Sequence, residues 1–265
     1  MTTVQIRPAG LPARPALPVR ARDLLGSEWI KLRTVRSSYW ALLVAAVIAI
    51  AGALLTFPAA PRRVPDPVAW SFTGWLEYPV LAVGILGVLA FTSECATGQI
   101  RTTFTAVPQR LAVLGAKAAV AGVVALAFGE LLAFASFLLT QAALARTHQG
   151  VSLSHPGAAG AVLAAGFALG SVAVLGVALG AIIRHTAGAI AALPALFYLP
   201  LLLLSLPSPW KERIDRFTLP VAAYQVVALH PATNLFTPAG SMLVLIAWPA
   251  AALAAAAVLT LRRDA

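Results

Sequence analysis

Six stretches of this 265-residue sequence are each about 20 residues or longer and almost free of charge. That is the length an α-helix needs to cross the hydrocarbon core of a bilayer. They run from Ser38 to Phe57, Ser71 to Thr92, Ala118 to Leu144, Gly157 to Ile183, Ala187 to Leu206 and Gly240 to Leu261, and only Glu77 and Glu130 place an acid inside them. Helices are required because an open sheet edge cannot be satisfied in lipid. A transmembrane barrel would instead show segments of about 10 residues alternating in polarity. Composition agrees: 60% of residues are hydrophobic and 11% charged, against about 45 to 50% and 25% in soluble domains. The chain reads as an all-α integral membrane protein, and its single Cys excludes an internal disulfide scaffold.

The formal charge of +10 would suggest nucleic acid in a soluble chain. Here the basic residues flank the apolar runs, so they report orientation, and no nucleic-acid partner is expected. With the N-terminus inside, 13 of the 19 basic residues fall on cytoplasmic segments and six outside. The expectation is a multi-pass protein of the plasma (inner) membrane with both termini cytoplasmic. Residues 1–21 read as a disordered cytoplasmic tail, and residues 22–265 as one six-span domain.

Three segments outside the spans are informative. Residues 22–36 read as an amphipathic interface helix, with Leu24, Leu25, Trp29, Leu32 and Val35 on one broad face and Asp23, Ser27, Lys31 and Thr34 opposite. Glu28 sits at the edge of the apolar face, three residues from Lys31. Such a helix lies on the inner membrane surface, as an anchor or as a docking surface for another protein. Residues 93–117 join the second and third spans on the cytoplasmic side. Their first half is polar, and Gly98 and Pro108 are expected to interrupt helix. If Gly98 does not break it, Glu94 and Arg101, seven apart, project from one helical face. Residues 207–239, with Trp210, Ile214, Phe217 and Tyr224 among their apolar members, are too apolar for a floppy loop and predict short helices at or dipping into the outer surface.

Catalytic and energy-coupling motifs are absent. Lys31, Lys117 and Lys211 follow Ile, Ala and Trp, so none completes a phosphate-binding Gly-Lys-Ser/Thr loop. His148, His155, His185 and His230 do not have zinc-protease spacing, and no G-x-S-x-G elbow occurs. An enzyme is disfavoured, and no metal or cofactor site is expected. Glu130, near the middle of the third span, should face the bundle or be protonated, since an ionised carboxylate in lipid costs several kcal/mol. Phe134, Phe137 and Gln141 continue its helical face, a candidate substrate path, or Glu130 is a buried structural carboxyl. Small-residue pairs at Gly166 and Gly170 and at Gly176 and Gly180 permit close helix contact.

The stretches SEWIKLRTVRSSYW (Ser27 to Trp40), SECATGQIRTTFTAVPQR (Ser93 to Arg110) with Ala116-Lys117, LPSPW (Leu206 to Trp210) and the terminal RRDA, in this order and spacing, resemble the six-span permease subunit of ABC-2 type transporters, short actinobacterial permeases in particular. The resemblance implies an ABC-2 (type V exporter-like) fold: an interface helix carrying Glu28, Trp29, Lys31, Arg33 and Arg36, then six spans. It implies a coupling helix that meets a separate ATP-binding subunit, here through Glu94, Gly98, Gln99, Arg101, Thr102, Pro108 and Arg110. Many relatives have Thr after the loop glycine, where this chain has Gln99. Outer re-entrant helices match 207–239. ATP and Mg would belong to the partner subunit, a second permease subunit would complete a dimer, and the cargo exported would be a lipophilic compound, peptide or drug. Two rival readings are a proton-coupled secondary transporter using Glu130 and a non-transporting membrane sensor or immunity protein.

Overall fold

A computed structural model describes residues 20–56, 63–73, 79–107, 109–200 and 208–262. Every regular element among them is a helix: α1 (Ala21–Thr34), α2 (Arg36–Thr56), α3 (Pro67–Trp70), α4 (Pro79–Ala96), α5 (Gln99–Ala106), α6 (Arg110–Ala145), α7 (Ala158–Ile183), α8 (Thr186–Tyr198), α9 (Ser208–Asp215), α10 (Leu219–Val227) and α11 (Pro238–Arg262). Five of these, α2, α4, α6, α7 and α11, are long and apolar enough to cross a membrane. The fifth expected span, 187–206, appears as the 13-residue α8; residues 201–207 lie outside the described residues, as do the 1–19 tail, Glu77 and Pro108.

Two expected boundaries move. The second span does not begin at Ser71: the short helix α3, capped by Asp66, ends in turns through Ser71 to Thr73, and the spanning helix is described from Pro79, residues 74–78 lying outside the described residues. In α3, Pro67 stands in the first turn, where its missing N–H would have no partner. The third span begins at Arg110 rather than Ala118. Its 36 residues make a rod about 54 Å long, against a hydrocarbon core of about 30 Å. α6 therefore carries turns beyond the bilayer, and Lys117 lies seven residues from its first residue, Arg110.

The bundle is built around α7, which packs against α4, α6, α8, α10 and α11. Small residues allow it: a Cβ on Gly87 of α4 would collide with the Ala173 carbonyl, and one on Gly176 of α7 with the Gly84 carbonyl. Of the expected small-residue pairs, Gly176 and Gly180 thus pack on α4, backbone against backbone, and Gly166 and Gly170 face α6 at Glu130, Leu126 and Gly122. Pro249 in α11 has no N–H to give the carbonyl of Leu245 four residues back; the Ser171 hydroxyl of α7 donates to it instead. α2 and α11 lie at the periphery and turn rows of large apolar side chains outward, among them Leu43, Val47, Leu54, Leu243 and Ile246.

Candidate functional site: a charge cluster beneath a short surface helix

The two amphipathic segments on one side of the bundle meet. α1 ends where Val35 turns extended, and its amide still bonds the Lys31 carbonyl. Arg36, expected in the interface helix, is the first residue of α2. The single apolar face expected of α1 divides. Leu24, Glu28 and Leu32, one helical row, turn toward the protein, while Leu25, Trp29 and Ile30 stay exposed, where a membrane surface would receive them. Lys31, expected on the polar side, belongs to the inward row, and Arg33 is exposed.

At the other end of this row, Gly98 adopts φ of +72°, a left-handed conformation that suits glycine, and the chain turns there from α4 into α5. The break answers the conditional expectation for Glu94 and Arg101: they lie on different helices and share no face. α5 is amphipathic. Phe104 is buried with Leu24 of α1 and Val113 and Ala116 of α6, with Ile100 packed against them. Gln99, Arg101, Thr102 and Thr105 are exposed on its other side. Arg110, expected to meet a partner, turns inward: its guanidinium lies 5.5 Å over the Phe104 ring and donates to the Thr260 carbonyl at 3.3 Å, tying α6 to the end of α11.

Between these helices lie four charges. Lys117 is 2% exposed, Glu94 4% and Glu28 7%. The Lys117 ammonium donates to Glu28 Oε2 at 2.7 Å, to Glu94 Oε1 at 2.6 Å and to the Ala90 carbonyl at 3.3 Å. Lys31 donates to Glu28 Oε1 at 2.7 Å and to Glu94 Oε1 at 2.8 Å. Two ammonium groups and two carboxylates thus form a neutral cluster joining α1, α4 and α6, and the Thr103 hydroxyl of α5 reaches Glu94 Oε2 at 3.5 Å. Burial alone would lower the pKa of Lys31; the hydrogen bonds and charges of Glu28 and Glu94 outweigh it and hold the ammonium above the ordinary lysine value. Glu94, expected in a partner contact, is buried here and bonds Lys31, Lys117 and Thr103 within the chain.

The candidate substrate path does not form one lined face. Phe137 is in the main core, Phe134 is partly exposed, and Gln141 is a buried clip at the far end of α6. Its amide nitrogen donates to the Pro67 carbonyl at 2.7 Å and to the Ser71 hydroxyl at 3.0 Å, and its oxygen accepts the Val151 amide at 2.8 Å. Glu130 lies against Gly166 of α7, in space that a Cβ there would occupy, and its buried Oε2 has no hydrogen-bond partner among the described residues. On the same far side, Asp66 accepts four backbone amides: Val68 and Ala69 at the start of α3, and Leu229 and His230 beyond α10. The short helices expected in 207–239 are α9 and α10.

Lys117 and Asp66 are the residues that sequence reasoning missed. The readable signal for Lys117 was a lone cation at the edge of an uncharged run, which should have a buried acid near it. No protein-family model matches the chain, and no curated protein matches it.

Proposed function

We infer that this chain is the membrane permease subunit of an ATP-driven ABC-2 type transporter, working as a dimer and exporting a lipophilic compound, peptide or drug with ATP hydrolysed on a separate subunit. The observation that carries this reading is α5. It is a helix of eight residues outside the spans, joined within three residues to a spanning helix at either end. Its apolar side is seated on α1 and α6 and its polar side is uncovered. A push on that polar side would pass into α4 and α6 through covalent chain and into α1 through the charge cluster, so the paired bundles could tilt as rigid bodies. Gln99, Arg101 and Thr102 are the contact residues in this reading; Glu94 and Arg110 are positioning residues beneath them. The termini, α1 and α5 face the cytoplasm.

The test is capture and activity from native membranes. The tagged full-length chain should bring down a nucleotide-binding subunit, and Arg101→Glu should lower that capture and the associated ATP hydrolysis at least fivefold while insertion stays normal. Capture and hydrolysis unchanged by Arg101→Glu, with Gln99→Ala and Thr102→Ala also silent, would overturn the assignment of α5. A second reading, a proton-coupled transporter, draws on the partnerless Glu130 oxygen; transport by Glu130→Gln with an unaltered pH profile would remove it.

A further inference from the structure

A cavity of about 220 Å³, lined by both polar and apolar side chains, opens beside the charge cluster, between α1, the first turn of α2, the end of α4 and the start of α5. It is below the roughly 300 Å³ of a site for a drug-sized molecule. The one unspent charged donor in its walls belongs to Lys31; the hydroxyls of Ser37, Ser38 and Ser93 and the Gln99 amide can each donate and also accept. Lys117 spends three N–H groups on Glu28, Glu94 and Ala90, and is closed. Lys31 spends two, and its side chain is 31% exposed, which leaves one ammonium N–H for the cavity. Three of the four carboxylate oxygens are held by the lysines, and the fourth faces Thr103. Ser37, Ser38 and Ser93 also line the cavity, and their hydroxyls make no hydrogen bond among the described residues.

One wall is apolar, made by Leu89, Ala90 and Val120 of the spanning helices, with Leu32 and Val35 at the elbow. A ligand for this site therefore has acceptor oxygens at one end and an apolar continuation that runs along the spans. Arg33 and Arg36, exposed and next in sequence to the lining residues Thr34, Val35 and Ser37, add cationic charge to this part of the chain.

We propose that the cavity binds the phosphodiester of an anionic phospholipid drawn from the leaflet in which α1 lies. Its oxygens accept from Lys31, Ser37, Ser38 and Ser93, and its glycerol and acyl chains follow the apolar wall. Bound there, the lipid bridges α1, α2 and α4 and closes the elbow over the charge cluster. This inference needs only a membrane-embedded chain and does not depend on a transport role.

Native mass spectrometry of the full-length protein released from detergent, titrated with phosphatidylglycerol or phosphatidylcholine, tests it. One phosphatidylglycerol per chain should be retained, at least tenfold more tightly than phosphatidylcholine. The Ser37→Ala/Ser38→Ala double variant leaves the four charges in place and removes two charge-assisted hydrogen bonds, so it should weaken retention about tenfold or more. If that variant is not recovered folded, Ser93→Ala, on a different helix, should still weaken retention severalfold. Equal retention of the two lipids, or retention unchanged in the serine variants, would overturn the proposal. So would full displacement by millimolar glycerol phosphate or inorganic phosphate, which would show a soluble anion site.

Discussion

The two ends of the bundle are fastened by different chemistry. At the α1 and α5 end, four charged side chains bond to one another and all but one of the contacts join complete helices. At the other end, Gln141, Gln149 and Asp66 bond almost entirely to backbone: Gln141 to Pro67 and Val151, Gln149 to Val64, Asp66 to four amides. The difference follows from what each end must satisfy. Irregular chain between α2 and α4 and beyond α10 carries unpaired N–H and C=O groups that a bundle in lipid has to supply with partners. Where helices run whole into a short turned helix, backbone needs are already met and side chains can pair. One end is therefore held by neutral and single-charge clips that act one at a time, the other by ions that stand or fall together.

Removing one member of the ionic end should break it. Lys117→Met leaves Glu28 and Glu94 buried with only Lys31 between them, and losing one partner of a buried pair costs about 3–5 kcal/mol. Differential scanning fluorimetry in detergent should show the largest fall in melting temperature of any single change named in this Discussion. The quadruple variant Glu28→Gln, Lys31→Met, Glu94→Gln, Lys117→Met sharpens the point. It removes every charge at once and should recover most of that loss, because replacing a whole buried ion cluster by apolar or neutral groups is often close to neutral. A quadruple variant as unstable as Lys117→Met would show that the helices are held by shape there, and that the ionic account is wrong.

At the other end, Asp66→Ala removes the acceptor of two helix-capping bonds and two loop bonds. The expected cost is about 1–2 kcal/mol, near that of losing a helix cap. The loss should be local: proteolysis or hydrogen exchange around residues 63–73 and 228–237 should rise while the α1 and α5 end keeps its protection. If exchange rises equally in α1 and α5, the two ends are one cooperative unit and the contrast fails. Gln141→Leu, similar in volume, should cost about 1 kcal/mol and loosen the same segment, with Val151 the amide that gains exchange.

Most of the spans were readable because length and apolar content settle what can cross a bilayer: α6 and α11 cover the runs expected for them, α7 begins one residue late and α2 two residues early. The start of α4 was not readable. Ser71 to Thr73 continue the apolar run, and only the Asp66 cap and Pro67 mark the separate short helix before them. On α1, periodicity found the helix but not its inward row, since Trp29 and Leu24 score alike as apolar although one faces out and the other a core. The glutamate and lysine positions were each visible, and Glu28 to Lys31 is a local i,i+3 pair. Glu28 to Lys117 spans 89 residues and Lys31 to Glu94 spans 63, and single-sequence reasoning has no access to such pairing. The burial of Glu94 was illegible for that reason: its polarity was clear, and its burial depends on a lysine two helices away.

The smallest expected effect concerns Lys31, the member of the cluster open to solvent. Its pKa is held above the ordinary 10.5, so the folded state binds this proton more tightly than the unfolded chain does. The sign follows: the Lys31 contribution is whole below pH 10.5 and declines as pH rises through the folded value, because deprotonation then removes the charge that Glu28 and Glu94 attract. With the side chain 31% exposed, solvent screens the pair, and Lys31→Met should cost about 1 kcal/mol or less at neutral pH. Melting temperatures of parent and Lys31→Met should differ by a constant, small amount from neutral pH up to 10.5 and converge above it, with raised salt narrowing the gap throughout. A gap as wide as that of Lys117→Met would mean that the exposed and the buried lysine are equivalent, and that burial does not set the strength of this end of the bundle. A gap that widens at alkaline pH would reverse the sign of the linkage and show that Lys31 is neutral in the folded protein.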